Sequence, residues 1–217
     1  MKKIYKTMGV ITLMLALLLP SMSFAMTGFN DIEDSSYQME IKSLQEKGIL
    51  KGTSALTFKP HKNLTFAEGI TLINATFGLN LDLIRFIKEP KATDYFVNAD
   101  DDAWYAQALI IASVHGVGFK ETLIPSDGID KETFVSLLVT YAELKYDLPM
   151  VKLIPLDIKD SADMNPENDG AIQRALSYGL IELDDAGQLN PKSILHREEA
   201  AQIIYNLIQY LELKERI

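Results

Sequence analysis

Apolar residues return at helical spacing in six separate stretches of this chain. Met39, Ile41, Leu44 and Ile49 make one face, and Gly48 is placed to stop it. A second stretch carries Ile70, Leu72, Ile73 and Phe77, and its apolar positions run on through Leu81, Ile84 and Phe86. Ala106, Leu109, Ile110 and Val114 precede Gly116; Phe134, Leu137, Leu138, Tyr141 and Leu144 follow it. Ile172, Ala175 and Leu176 lead to Gly179, and the last face holds Ala200, Ile203, Ile204, Leu207, Ile208 and Leu211. No stretch alternates with period two for long enough to demand a sheet. The pattern predicts an all-α chain of helix-loop-helix units.

The units keep register with one another. Phe29 precedes Tyr37 by eight residues, as Phe96 precedes Trp104. Lys47-Gly48-Ile49, His115-Gly116-Val117 and Tyr178-Gly179-Leu180 stand at matching places. Phe58-Lys59-Pro60, Ile124-Pro125 and Leu189-Asn190-Pro191 follow, so that Pro60, Pro125 and Pro191 are 65 and 66 residues apart. Eight residues beyond each proline lie Glu68, Thr133 and Glu199. Three diverged copies of one unit of about 65 residues account for this spacing, and they are placed at 26–90, 91–153 and 154–217.

Residues 1–25 are read separately. Lys2, Lys3 and Lys6 precede an apolar run from Met8 to Leu19, and Ser23-Phe24-Ala25 supplies small residues at a cleavage site. That order is the layout of a secretory signal peptide, and the run is short of the roughly 20 residues that a membrane span needs. The chain contains no Cys, so a core and not disulfides must hold the exported fold. Without the three lysines the formal charge moves from −9 to −12. A net negative chain with no Lys/Arg block is a poor match for nucleic acid.

The series Phe29-Asn30-Asp31-Ile32, Glu46-Lys47-Gly48-Ile49, Phe58-Lys59-Pro60 and Leu64-Thr65-Phe66-Ala67-Glu68 resembles the S-layer homology domain. Leu195-His196-Arg197-Glu198-Glu199-Ala200 is the other close match. The resemblance implies three units packed as a pseudo-threefold trident around a central helix bundle. It also implies a non-catalytic module whose grooves take the pyruvylated sugar end of a secondary cell-wall polysaccharide linked to peptidoglycan. Such a protein is secreted and held at the cell wall or S-layer, with no membrane span once the leader is removed.

The family's Thr-Arg-Ala-Glu tetrad divides into two jobs. Thr65 with Glu68 has the form of a capping box, and Asp130 and Glu199 stand at matching capping positions. The Arg has no part in capping; its planar fork suits a carboxylate, which a pyruvyl ketal presents. A helix N-terminus beside it would add amide donors. At that position the copies hold Phe66, Lys131 and Arg197, so one fork survives with one lysine substitute. Arg197 and Lys131 are therefore the expected ligand contacts, with Lys192 and His196 beside the former and Trp104 as a surface for sugar stacking. The competing readings are an Arg197 paired with Glu198 or Glu199, and a Trp104 that packs its helix onto the loop. Asp31, Asn98 and Asp160 are expected to bond loop amides. Asp100-Asp101-Asp102 and Asp184-Asp185 lack the order of a calcium loop and read as solvated turns. No metal spacing, cofactor motif or nucleophile motif is present, so the expectation is no enzyme, no metal and no cofactor. The eroded tetrads leave a second reading open: a secreted scaffold with decayed grooves that binds a surface protein.

Overall fold

The computed structural model describes residues 28–118, 120–146, 148 and 155–214. The leader assigned to 1–25 and the boundary drawn at 153/154 lie outside them. The fold is all-α: the described residues form six α-helices, three short 3-10 turns and three isolated backbone bridges, with no strand. The helices are α1 (Gln38–Glu46), α2 (Phe66–Phe77), α3 (Ala106–Val114), α4 (Lys131–Tyr146), α5 (Asp169–Ser177) and α6 (Arg197–Lys214). None of them is long and apolar enough to cross a membrane.

Each helix sits where the apolar spacing places it, with one difference. α2 stops at Phe77, because Gly78 turns left-handed (φ 61°) and its amide closes onto the carbonyls of Asn74 and Ala75. Leu81, Ile84 and Phe86 therefore belong to a turn-rich connection and do not extend the helix. Periodicity alone could not see that stop, since the apolar spacing continues across it.

The pairing of helices crosses the sequence pattern. α2 packs on α3, α4 on α5, and α6 on α1, so each pair joins the second helix of one segment that the sequence spacing marks as a copy to the first helix of the next such segment. The last pair closes a circle. Ser35, just ahead of α1, meets Glu198 in the first turn of α6, and Lys47, just after α1, meets Glu212 near the end of α6. α1 and α6 thus run in the same direction.

At the centre the three stretches of chain ahead of α2, α4 and α6 hold one another by their backbones. The Leu64 amide donates to the Leu195 carbonyl (2.7 Å), Leu195 to Ile129 (3.0 Å), and Ile129 back to Leu64 (3.0 Å). Their side chains are buried, and each contributes roughly 1.5–3 kcal/mol by leaving water. The same cyclic order continues outward. The first two amides of α2 donate to the carbonyls of Asp127 and Pro125, those of α4 to Ser193 and Pro191, and those of α6 to Lys62 and Pro60. Each of these helices is capped by a neighbouring copy's loop, and the prolines that mark the sequence register supply one acceptor each.

Within a copy, a carboxylate clamps the loop. Asp31 accepts from the amides of Phe58 and Lys59 (both 2.8 Å), and Asp160 from Leu189 and Asn190 (2.8 and 2.7 Å). Those two bonds hold Lys59 and Asn190 at positive φ (59° and 57°), which non-glycine residues seldom adopt. In the middle copy the side chain is Asn98, and it donates to the Thr122 carbonyl instead (2.9 Å).

The α6–α1 closure carries a titratable link. His61 lies between Glu198 (Nδ1 to Oε1, 2.8 Å) and Asp34 (Nε2 to Oδ2, 3.3 Å), and only the imidazolium donates to both. The hydrogen bond to Glu198, helped by that carboxylate's charge and by Asp34, raises the His61 pKa above its usual value. A raised folded-state pKa stabilises fully below the unfolded value of about 6.5 and loses that contribution as pH rises through the folded value. The difference in Tm between wild type and His61→Gln is therefore expected to be largest near pH 6 and to shrink as pH rises above that window. Thermal melts of both proteins across pH 5–9 measure it; a gap that widens with pH would reverse the sign.

Candidate functional site

A groove of about 950 Å³ opens between α2, α3 and the loop that follows α1. Its walls come from all three copies. Ala67, Glu68, Thr71 and Asn74 of α2 form one side, Trp104, Tyr105, Gln107 and Ala108 the other, and Lys51, Gly52, Thr53 and Phe58 the loop wall. Arg197, from the first position of α6, reaches in at the floor. Trp104 and Arg197 therefore share one groove, although 93 residues separate them in the chain.

Arg197 is almost fully enclosed, with 8% of its side chain exposed. Its Nε donates to the Phe58 carbonyl (2.8 Å), Nη2 to the Lys51 carbonyl (3.2 Å), and Nη1 meets Glu68 Oε1 (3.2 Å). The guanidinium also lies over the Phe58 ring, 4.7 Å from its centroid. The partner is thus Glu68, from another copy, and neither Glu198 nor Glu199. Burial pulls the guanidinium pKa down, and Glu68 and Asp31 oppose that. Three of its five N–H groups are engaged by these partners.

Glu68 joins capping to the floor. Its Oε2 accepts from the Thr65 amide (3.0 Å), while the Thr65 hydroxyl accepts from the Glu68 amide (3.2 Å). Lys62 donates to its Oε1 (3.0 Å) beside Arg197. Burial alone would raise the Glu68 carboxyl, but the Thr65 amide, Lys62 and Arg197 outweigh it and hold the pKa low. With the first two amides of α2 also given to Asp127 and Pro125, the helix start has no free donor among its first three residues. The amide donors expected beside the Arg are used inside the fold.

Trp104 projects from the opposite wall, 66% exposed, with its ring edge against Tyr105 (5.7 Å between centroids). It does not seal the helix onto its loop. The other sequence candidates stand elsewhere. Lys131, the counterpart of Arg197, donates to the Leu189 carbonyl (3.1 Å), as Arg197 does to Phe58. Lys192 pairs with the buried Glu132, which raises the lysine's pKa. His196 caps α6: its amide donates to Glu199 Oε2 (2.7 Å), and its ring lies 3.7 Å from the same oxygen. In α4 the Asp130 carboxylate accepts from the Thr133 amide (2.9 Å). Phe66 is half-buried against the core.

The acidic runs shape turns. Asp101 accepts from the amide and hydroxyl of Thr93 (3.0 Å each), and Asp184 from the amides of Ala186 and Gln188 (2.9 Å each) and from Asn190. These bonds lower the pKa of both carboxyls. Lys62, Thr53, Gln107 and Ala67 escape a copy-by-copy reading, since they gain meaning only beside an Arg and a Trp from other copies. Matching the first residue of one unit's second helix to the preceding loop in cyclic order would have found them.

Residues 28–68 match the family model of the S-layer homology domain. The chain is 27% identical over 183 residues to exoglucanase XynX of Acetivibrio thermocellus, covering 83% of this chain and 16% of that protein. It is 26% identical over 212 residues to an endoglucanase of Bacillus sp. (strain KSM-635), covering 92% and 21%. It is 22% identical over 224 residues to the surface-layer 125 kDa protein of Lysinibacillus sphaericus, covering 100% and 18%. The chain spans about a fifth or less of the length of these curated relatives. Residues 28–68 are an S-layer homology domain, and such domains are cell-wall anchoring modules.

Two outcomes follow for stability. Arg197→Ala takes the donor from the Phe58 and Lys51 carbonyls and the enclosed guanidinium from Glu68; such losses cost about 3–5 kcal/mol, or roughly 10 °C in Tm for a chain of this size. Differential scanning calorimetry measures it. Gly52→Ala puts a Cβ 2.4 Å from the carbonyl oxygens of Ser54 and Thr57 and 2.6 Å from the Phe29 ring. Overpacking of that kind costs about 1–3 kcal/mol, and urea unfolding is expected to show it as a lower midpoint with an unchanged slope.

Proposed function

We propose that this chain is a non-catalytic anchoring module that holds to secondary cell-wall polysaccharide through the groove between α2 and α3. The pyruvylated sugar end is the part bound. Trp104 offers the sugar a flat exposed face, and Lys62 with the remaining N–H groups of Arg197 faces the ketal carboxylate. The observation that carries the reading is the meeting of Trp104 and Arg197 in one groove of about 950 Å³. Aromatic faces and charged forks supply contact area and orientation respectively. Of the residues proposed from sequence, Lys131, Lys192 and His196 fall outside this groove's walls and have no part in it.

The family match supports the reading, as does the likeness to a surface-layer protein across the whole chain. On this reading the protein is exported and resides at the cell surface. The relatives named as glucanases carry their activity in the greater part of their length that this chain does not cover.

A protein partner is the other reading, and one observation favours it. Leu83 and Ile87 in the connection after α2 are 97% and 109% exposed, and Leu144 near the end of α4 is 74% exposed. The two readings separate in one assay. Protein is incubated with purified cell wall, intact or stripped of its secondary polymer, and the bound fraction is measured. Retention on intact wall only, weakened about tenfold or more by Trp104→Ala with Tm unchanged, is the expected result. Equal retention on stripped wall would sink the polymer reading. Trp104→Ala is the informative variant because Trp104 is exposed, whereas Arg197→Ala also loosens the fold.

A further inference from the structure

The second residue of α2 is Ala67, but the same register position holds Glu132 in α4 and Glu198 in α6. Ala67 lines the open groove. The two glutamates instead reach across their junctions and are held there. The Glu132 side chain is 2% exposed; it accepts from the Asn165 amide (3.0 Å) and from the Lys192 ammonium. The Glu198 side chain is 11% exposed; it accepts from the Ser35 hydroxyl (2.6 Å) and from His61 (2.8 Å).

The two sets of donors match in position as well as in kind. Lys192 and His61 each follow the regularly spaced proline of the next loop, at Pro191 and Pro60. Asn165 and Ser35 each stand in the segment that leads into the neighbouring first helix. Each set is therefore one cation and one neutral donor, both from the next copy, converging on a carboxylate. At the α2 junction the residue after Pro125 is Ser126, and no glutamate stands opposite it.

We infer that Glu132 and Glu198 are internal carboxylate plugs, which close two of the three related junctions and leave the chain one open carbohydrate groove. A carboxylate buried with its own cation and neutral donor fills the space and engages the donors that an entering anion would need. The composition of the junctions agrees. The closed ones offer Phe66 and Lys131 where the open one has Arg197, and Trp104 stands only at the open one.

This inference rests on the reading under Proposed function for the nature of the ligand, and two measurements keep the two apart. Isothermal titration of the wild-type protein with a synthetic pyruvyl-ketal monosaccharide is expected to give one site per chain, lost in Trp104→Ala. Two or three sites would overturn the single open groove while leaving the polysaccharide reading intact. No binding at all would instead remove that reading, and the plugs are then judged by the second measurement. Glu132→Ala and Glu198→Ala are each melted in sodium acetate and in sodium chloride at equal ionic strength and pH 7. Acetate is expected to raise the Tm of the variants by about 2–4 °C over chloride and to leave the wild type unmoved. Variants indifferent to acetate would overturn the plugs. Should Glu132→Ala fail to fold, the less enclosed Glu198→Ala and the wild-type stoichiometry still decide the matter.

Discussion

Three backbone hydrogen bonds, passed in a circle between Leu64, Ile129 and Leu195, set the frame for everything else in this molecule. They require three stretches of chain far apart in sequence to meet at one point with their amides and carbonyls aligned. Once they do, the start of each long helix lies against another copy's proline loop, and the first two amides of that helix find acceptors there. Buried amides without acceptors would cost more than the bonds contribute, so the arrangement is cooperative by construction. Burial of the three aliphatic side chains around the ring adds the apolar part.

That frame makes the groove a composite. The floor comes from the start of α6, one wall from α2, the other from the start of α3. A residue's chemistry is then decided by its neighbours across the ring. Arg197 becomes a groove residue only because it reaches over Phe58 toward Glu68, and Lys131 makes the equivalent reach toward Leu189 at a different junction. The acidic character of the chain is handled within the same frame. Glu68, Glu132 and Glu198 each sit enclosed with a cation, and Asp31 and Asp160 each hold two loop amides.

Much of the fold was legible in the sequence. The six helices follow the apolar spacing, and Gly48, Gly116 and Gly179 mark helix ends in left-handed conformation at φ 72°, 75° and 70°. The extent of α2 was misread because Leu81 and Ile84 keep the period beyond Gly78. The site was legible only in part. Arg197 and Trp104 were identified from the family pattern, yet their common groove was not, because spacing within a unit carries no information about which units touch. The reading that competes with ligand contact pairs Arg197 with Glu198 or Glu199 on its own helix. Instead it spans to Glu68, a long-range choice set by the ring. Nor does a row of glutamates in an acidic chain announce which ones are enclosed; that depends on Lys192, His61, Ser35 and Asn165, all distant in sequence.

The pairing of α6 with α1 has a kinetic side. The α2–α3 and α4–α5 pairs join helices that follow one another along the chain, so their loops close at modest entropic cost. The α1–α6 pair instead joins residues such as Ser35 and Glu198, 163 positions apart. Contacts of high sequence separation slow folding, since the entropy of closing their loop is lost before they contribute. Of the three helix pairs, the α1–α6 seam therefore costs the most chain entropy to close. His61 and Lys47 bridge that seam from the α1 side, so the polar bonds there latch the pairing that spans the longest stretch of chain.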